Sequence, residues 1–145
     1  MDISVSLAPT IVGARTLLKS VGLPTEDLLE SHLAHFLYVG TPAVPSALVG
    51  AEIFGEHALL RSLAVGDGMR DKGIGSLLVA HIERHARSQG VRQIYLLTST
   101  AESFFARRGY TPLDRQLAPG PIQKTREFAA LCPASSAFMA KVLDT

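Results

Sequence analysis

The sequence predicts an α/β (α+β) fold built on one mixed seven-stranded sheet, with an antiparallel N-terminal meander and parallel central strands flanked by helices. Residues 2–7 alternate apolar and polar or small residues with the two-residue period of a strand, and the first half contains three further strand-like runs. Residues 63–90 then combine an apolar strand, a glycine-bearing loop and an amphipathic helix. The next segment, 91–98, becomes nearly all apolar toward its end, as is typical of a strand covered on both faces. A strand, a helix and a strand of this length form a right-handed crossover with parallel strands, so the sheet is mixed.

Length and composition restrict the class of protein. The chain has 145 residues, of which 47% are hydrophobic, and this predicts a single domain over residues 1–145. The net charge is +1 and the basic residues are dispersed, which gives no reason to expect a nucleic-acid partner. Cys132 is the one cysteine, so an internal disulfide is excluded. The first residues lack a positively charged export signal, and no apolar run approaches the ~20 residues that span a bilayer, so we expect a cytoplasmic protein with no membrane partner.

The first half of the chain predicts two short helices and the strands of a meander. Residues 2–7 alternate as a half-buried strand, and Pro9 then precedes a helical pattern that ends at Gly22. Pro24 and the carboxylates that follow it open a second short helix, because a helix dipole favours acidic residues in the first turn. The predicted elements are a strand over 2–7, helices over 11–21 and 24–33, and strands over 35–39, 47–54 and 57–65.

The second half is organised around one amphipathic helix over residues 75–89. Its apolar stripe includes Leu78 and Ile82, whereas Glu83 and its polar neighbours lie off the stripe, and Gly90 ends the helix. The pattern then predicts a strand over 91–98, a helix over 101–108, a strand that begins at Tyr110, a helix over 122–131 after a proline-rich break, and a last strand over 136–143.

The loop between the strand 57–65 and the helix 75–89 has the properties of a phosphate site. A strand that runs through a glycine-rich turn into a helix directs unpaired N–H groups and the positive end of the helix dipole at one point. A dinucleotide fingerprint is excluded, because Gly66-x-Gly68 is followed by Asp71 where a third glycine is required. A Walker loop is excluded because Gly73-Ile74-Gly75 lacks its lysine. The remaining pattern is Arg70-x-x-Gly73-x-Gly75 after Leu63-Ala64-Val65.

This pattern, together with Phe104-Phe105-x-x-x-Gly109-Tyr110, resembles the GCN5-related N-acetyltransferase (GNAT) superfamily, and the order of elements resembles its fold. The resemblance implies that the loop binds the pyrophosphate of acetyl-coenzyme A and that the pantetheine arm lies where the strand 57–65 diverges from the strand 91–98. A backbone N–H of the first strand would then polarise the thioester carbonyl. The implied cofactor-binding residues are Leu63, Ala64, Val65, Arg70, Asp71, Lys72, Gly73, Ile74, Gly75, Ser76 and Phe104.

The catalytic groups are less clearly indicated by the pattern. Glu52 is the candidate general base, because it is a carboxylate in an otherwise apolar strand where burial would raise its pKa. The open alternative is a glutamate paired with Arg61 or another cation. Many members of the superfamily have a tyrosine acid at the position of Phe105, so the leaving thiolate would take its proton from water or through a hydroxyl such as Thr98. We expect no metal, because His81 and His85 lack both the His-Glu-x-x-His spacing and a third ligand.

A narrower resemblance connects residues 58–65, 96–105 and 124–135 with the N-acetyltransferases of bacterial arsenic-resistance operons. It implies a small-molecule amine as acceptor, either a toxic amino-acid analogue or an organoarsenical, with Arg61, Thr98 and Arg126 as substrate-binding candidates. One cysteine cannot form a multidentate arsenic–thiolate site, so the link to arsenic would be acetylation of an amine. Two alternatives stay open, namely a regulatory module that binds acetyl-coenzyme A without catalysis and a protein N-terminal or lysine acetyltransferase. The superfamily often forms dimers, so a homodimer is expected as one partner arrangement.

Overall fold

The computed structural model describes residues 4–69, 73–131 and 136–143, and seven strands form its single sheet. No helix in this part of the chain has the length and apolar character needed to cross a bilayer. The strands are β1 (Val5–Leu7), β2 (Phe36–Gly40), β3 (Pro45–Phe54), β4 (His57–Val65), β5 (Gln93–Thr98), β6 (Thr111–Pro112) and β7 (Ala137–Val142). The helices are α1 (Ile11–Ser20), α2 (Ile74–Ser88), α3 (Glu102–Ala106) and α4 (Gly120–Gln123), with 3-10 turns at Glu30–His35, Asp67–Met69 and Arg115–Leu117 and a π turn at Glu127–Leu131.

The sheet is mixed, which confirms the predicted fold class. Its strand order is β1-β2-β3-β4-β5-β7-β6, with antiparallel pairing everywhere except between β4 and β5. The parallel pair β4–β5 follows from the crossover through α2, as the strand–helix–strand pattern predicts. The two faces of the sheet are covered by different helices, since α2 packs on one face over Leu37 and Ile94 while α1 packs on the other over Phe36 and Leu48.

Two predicted helices are wrong in extent. Residues 24–29 form no helix, and helical geometry begins only in the 3-10 turn Glu30–His35. Tertiary contacts fix this segment: Arg15 donates from Nη2 to the carbonyl of Leu28 at 2.9 Å, and the side chain of Asp27 is bound by Arg61. The predicted helix 122–131 is divided into α4 and the π turn, because the Thr125 hydroxyl between them donates to the carbonyl of Ile122 at 2.7 Å and accepts the N–H of Phe128 at 3.2 Å.

The predicted polar face of α2 is wrong at one residue. Glu83 is buried, accepts a hydrogen bond from the Tyr110 hydroxyl at 3.0 Å and pairs with Lys141 Nζ at 2.9 Å. Burial, the charge of Glu83 and this hydrogen bond together raise the pKa of Tyr110 above its ordinary value. A buried carboxylate needs such partners, and both come from segments far along the chain. The contacts of Glu83 with Tyr110 and Lys141 therefore connect α2 to the C-terminal part of the sheet.

Gly50 gives a test of the packing between β2 and β3. A Cβ atom at Gly50 would lie 2.1 Å from Cε1 of Phe36, whose side chain is fully buried. We expect Gly50→Ala to reduce the free energy of unfolding by about 1–3 kcal/mol, the usual cost of overpacking a core. Gly120→Ala is the matched control, because a Cβ there meets nothing within 4 Å. Urea denaturation measures both. In the double variant with Phe36→Ala the two costs should be less than additive, and simple additivity would contradict the proposed clash.

Candidate active site

The site is a cavity that opens where β4 and β5 separate. The two strands pair over only three residue pairs, of which Leu59↔Tyr95 is the last. A cavity of about 500 Å³ lies beyond this point between their diverging ends. Its wall is formed largely by apolar residues of the two strands, with hydroxyl groups from Ser62, Thr98 and Ser99 and a contribution from residues 21–24. Residues of both strands therefore line one cavity, and its role as the acetyl-coenzyme A groove stays a prediction.

A β-bulge shapes the wall of this cavity on β4. Leu48 pairs with Ala64 and Gly50 pairs with Arg61, so Ser62 and Leu63 together lie opposite a single residue of β3. Ser62 has a φ of 61°, a left-handed conformation that serine rarely adopts. Bulges of this kind redirect a strand and are frequent at functional sites. Of the three strand residues predicted to contact the cofactor, Leu63 lines the cavity, whereas the described lining does not include Ala64 or Val65.

The first turn of α2 is the predicted anion site, and this role stays a prediction. Gly73 is the N-cap in the left-handed region with φ 73°, and no described side chain caps the helix. The first backbone hydrogen bond of the helix runs from Leu77 N–H to the Gly73 carbonyl at 3.1 Å, so the N–H groups of Ile74, Gly75 and Ser76 lack intrahelical partners. Phe104 packs close to Gly75, where a Cβ would lie 3.2 Å from the phenyl Cζ. The predicted residues Arg70, Asp71 and Lys72 lie outside the described residues.

Arg108 adds a cation beside this first turn, and the sequence pattern did not indicate it. Its guanidinium carbon lies 3.6 Å from the centre of the Phe104 ring. Its nitrogens donate to the Phe104 carbonyl at 2.6 Å and to the Ser76 hydroxyl. Burial and then the charge of Arg107 lower the pKa of Arg108. Only the folded arrangement brings the end of α3 against the start of α2, so spacing along the chain could not reveal this contact.

A second cluster surrounds Arg61 at the cavity wall. Arg61 is 4% exposed and holds Asp27 in a two-pronged ion pair, with distances of 2.6 Å from Nη1 and 2.8 Å from Nη2. Nη1 also donates to Glu52 at 2.9 Å, and Nη2 lies 2.9 Å from Oε1 of Glu127. Nε donates to the Ser62 hydroxyl at 3.0 Å. All five N–H donors of the guanidinium are thus directed at protein acceptors.

The ion pair between Arg61 and Asp27 stays charged despite its burial. Burial raises the pKa of Asp27, but the hydrogen bonds and charge of Arg61 more than offset this, and the pKa lies below its ordinary value. Burial lowers the pKa of Arg61, whereas Asp27, Glu127 and Glu52 raise it, and the net shift is upward. Removal of one partner from such a pair leaves an uncompensated charge, so the cluster acts as one unit.

The four predicted catalytic and substrate-binding residues differ in whether they line the cavity. Glu52 is the partner of Arg61, as in the alternative interpretation, and the described cavity wall does not include it. Arg61 lines the cavity, but its donors are already engaged. Thr98 lines the cavity and accepts the Ala101 N–H at 3.0 Å. Arg126 is exposed, donates to the Glu26 carbonyl at 3.3 Å and is not part of the described wall. The roles assigned to these four residues stay predictions.

Glu127 is the carboxylate that the sequence interpretation missed. It is buried, contacts Arg61 and lines the cavity. The segment 122–131 was predicted as a helix with no indication of which strand it approaches. Ser136 was missed as well, and its hydroxyl lies 2.9 Å from that of Ser99 on the cavity wall.

The histidines of α2 show a contact other than a metal site. His85 Nε2 lies 2.9 Å from Nδ1 of His35, and burial followed by the charge of His35 lowers the pKa of His85. The described ranges 4–69, 73–131 and 136–143 contain no group of three or more His, Cys, Asp and Glu side chains arranged to bind a metal.

Curated relatives resemble parts of the chain. It is 38% identical over 76 residues to an uncharacterized N-acetyltransferase of Chlorobaculum tepidum, a match that covers 52% of this chain and 46% of that protein. It is 34% identical over 97 residues to an amino-acid acetyltransferase of Salmonella typhi, which covers 66% of this chain and 22% of that protein. The chain therefore spans less than half the length of these relatives.

Solved structures resemble the whole chain in fold. The N-acetylglutamate synthase of Neisseria gonorrhoeae, complexed with coenzyme A and N-acetyl-glutamate, matches with a TM-score of 0.81 and 21% identity over 100% of this chain and 36% of that chain. Rv2747 from Mycobacterium tuberculosis, solved in complex with CoA, matches with a TM-score of 0.80 and 19% identity over 97% of this chain and 99% of that chain.

The family is shown by the sequence itself. The model of the Acetyltransferase (GNAT) family matches residues 20–110, which is more than half of the chain. That range contains both diverging strands, the bulge at Ser62, the glycine loop and α2. Because the model matches more than half of the chain, the chain belongs to the acetyltransferase (GNAT) family, and the matched residues include much of the cavity wall and the open start of α2.

Proposed function

We propose that this protein transfers the acetyl group of acetyl-coenzyme A to the amine of a small amino acid or amino-acid analogue. One observation carries the proposal: the uncapped first turn of α2 follows β4 in the chain, and residues of β4 line the cavity between β4 and β5. Such a site can hold an activated acyl group in the cavity and the phosphates of the same molecule at the first turn of α2. The amino-acid acetyltransferases among the relatives, and the N-acetylglutamate synthase among the structures, support an amino-acid acceptor.

The residues present fit acetyl-coenzyme A. The N–H groups of Ile74, Gly75 and Ser76 would hold the pyrophosphate, with Arg108 adding positive charge nearby. Gly73 supplies the left-handed cap that frees these N–H groups. The apolar wall contributed by Leu63 and its neighbours suits the pantetheine arm. Acetyl-coenzyme A supplies an acetyl thioester, and the protein supplies the position and polar environment of the carbonyl.

The finer substrate class rests on the narrower resemblance. Residues 58–65 and 96–105 build the cavity walls, and residue Glu127 of the third resembling segment lines it. The similarity of these three segments to arsenic-resistance N-acetyltransferases therefore concerns the site itself. On this basis the acceptor is a toxic amino-acid analogue, such as a phosphinate or arsinate analogue of glutamate, and acetylation of its amine detoxifies it.

A regulatory module is the second candidate function. Phe105 lines the cavity at the position where many members of the family have a tyrosine, and a phenyl ring has no proton to donate. Such a protein would bind acetyl-coenzyme A without transferring its acetyl group.

Acetyl transfer should be measurable directly. Incubation of the protein with acetyl-coenzyme A and a panel of amines should release free coenzyme A thiol with amino acids or their phosphinate and arsinate analogues, and mass spectrometry should show the N-acetyl product. A peptide with a free N-terminus and a lysine peptide test the macromolecular alternative. Binding of acetyl-coenzyme A without thiol release from any acceptor would instead support the regulatory module.

The loop assignment predicts a ligand-dependent stabilisation. Acetyl-coenzyme A at 100 times its Kd should stabilise the wild type by about 2.7 kcal/mol, seen as a rise in Tm. Gly73→Asp should abolish this rise, because it places a negative side chain at the pyrophosphate position and forces a strained φ of 73°. Gly90→Asp is the matched control, since Gly90 has a φ of 91° with open space around it at the opposite end of α2. A full Tm shift in Gly73→Asp would refute the assignment.

A further inference from the structure

We propose that His35 and His85 form a proton-sensitive latch, in which one shared proton holds the 3-10 turn Glu30–His35 against α2 and protonation of both imidazoles releases the turn. The proposal goes beyond the proposed function and does not depend on it. It follows from a direct contact between two titratable side chains that lie far apart in the chain.

The two imidazole rings meet nitrogen to nitrogen. His35 Nδ1 lies 2.9 Å from His85 Nε2, and the ring centres are 5.1 Å apart with the ring planes inclined by 49°. This separation is that of a hydrogen bond, so one of the two nitrogens donates its N–H to the lone pair of the other. Both residues are partly exposed, so water can supply and remove protons.

The number of protons on the pair decides whether this contact survives. A neutral imidazole carries one ring proton, so two neutral rings can place one proton between the facing nitrogens. One imidazolium and one neutral imidazole can do the same. Two imidazolium rings have a proton on both facing nitrogens and two positive charges at hydrogen-bond distance, so the contact is lost. The latch therefore opens with the second proton and not with the first.

The surroundings of His85 oppose that second proton. Burial lowers the pKa of His85, and the charge of His35 lowers it further. Histidine ordinarily titrates near pH ~6.5, so the latch is closed at neutral pH and opens below the ordinary range of histidine. The two protonation steps belong to the pair rather than to either ring alone.

The charged groups with described partners near the pair face away from it. On α2, Glu83 contacts Tyr110 and Lys141. On the turn, His32 accepts the Leu29 N–H at Nδ1, and its Nε2 lies 3.9 Å from Glu52 of β3.

The other elements packed against the turn and α2 add no further charge to the pair. β1 has no titratable side chain over Val5–Leu7, and Tyr38 of β2 is buried with the residues that face α1. The exposed charged residues nearest in the chain are Arg84 and Arg87 on α2 and Glu30 on the turn. Among the residues that the structure describes, His35 is the one charged group that shifts the pKa of His85.

The turn that carries His35 reaches both faces of the sheet. Leu33 packs in the cluster under α1, whereas His35 contacts α2 on the other face. The segment 21–28 before the turn supplies part of the cavity wall and holds Asp27, which pairs with Arg61. The latch therefore connects the end of that segment to the helix whose first turn is the predicted anion site.

The pH dependence of stability tests the latch. Because the pKa of His85 is lowered in the folded protein, the unfolded chain binds this proton more readily. The stability that depends on the pair is thus full above pH ~6.5 and is lost as the pH falls below that value. The unfolding equilibrium constant of the wild type, measured by urea denaturation, should rise by up to about tenfold per pH unit from this proton.

Three variants separate the pair from the other titrating groups. His85→Gln removes the shifted group and should remove this part of the rise. His35→Gln should reduce it, because an amide can donate to or accept from His85 without carrying a charge. His81→Gln is the matched control, since His81 lies one turn earlier on α2 and is also partly exposed, and it should keep the wild-type pH dependence.

Amide hydrogen exchange locates the released segment. The His32 N–H donates to the Leu29 carbonyl at 3.0 Å at the start of the turn. Corrected for intrinsic exchange, its protection in the wild type should fall by about tenfold between pH ~7 and pH ~5, and His85→Gln should show no such fall. The Leu77 N–H, which donates to the Gly73 carbonyl at the other end of α2, is the internal control and should keep its protection.

Two results would overturn the proposal. The same pH dependence of stability in the wild type and in His85→Gln would show that the pair takes up no proton in this range. Equal losses of protection at His32 and Leu77 would show a general loosening rather than release of the turn. If His85→Gln does not fold, His35→Gln carries the same test from the other ring. Acetyl transfer enters none of these measurements, so a failure of the proposed function is distinguishable from a failure of the latch.

Discussion

The separation of β4 from β5 is the constraint on which the site depends. Parallel strands normally continue to exchange hydrogen bonds along their length, but here the pairing ends at Leu59↔Tyr95. The separated strand ends have backbone groups that need partners and leave a space of about 500 Å³. The remaining strands keep this gap open, because β3 supports β4 on one side and β7 pairs with β5 along six residues on the other. The cavity therefore exists because β4 and β5 do not pair along their full length.

Arg61 connects this gap with the rest of the chain. Its partners come from the segment after α1, from β3 and from the π turn near the C-terminus. A buried cation with three carboxylates has a desolvation cost that hydrophobic packing would not have, and such clusters are a poor choice for stability alone. Their value here lies in geometry, since one rigid guanidinium fixes the relative positions of three distant segments at the cavity wall.

The sequence predicted most of the fold because its patterns are local. The apolar-rich runs 47–54 and 57–65 predicted β3 and β4, the apolar stripe and Gly90 predicted α2, and the glycine spacing predicted the open helix start. The sequence prediction failed where a contact with a residue distant in the chain determines the local structure or the burial of a side chain. Residues 24–29 are held out of a helix by Arg15 and Arg61, and Glu83 is buried because Tyr110 and Lys141 reach it. The same limit applies to the site, since Glu127 and Arg108 acquire their positions only from the packing of the C-terminal half.

The adjacency of Arg61 and Ser62 has a thermodynamic consequence. Arg61 carries the carboxylate cluster, while Ser62 forms the left-handed bulge beside the cavity and accepts the Nε hydrogen of Arg61. A ligand that draws Arg61 toward itself therefore also acts on the backbone that faces the other ligand. Coupling of this kind is reciprocal, so under the proposed function whatever change in affinity the acetyl donor causes for the amine, the amine must cause for the donor.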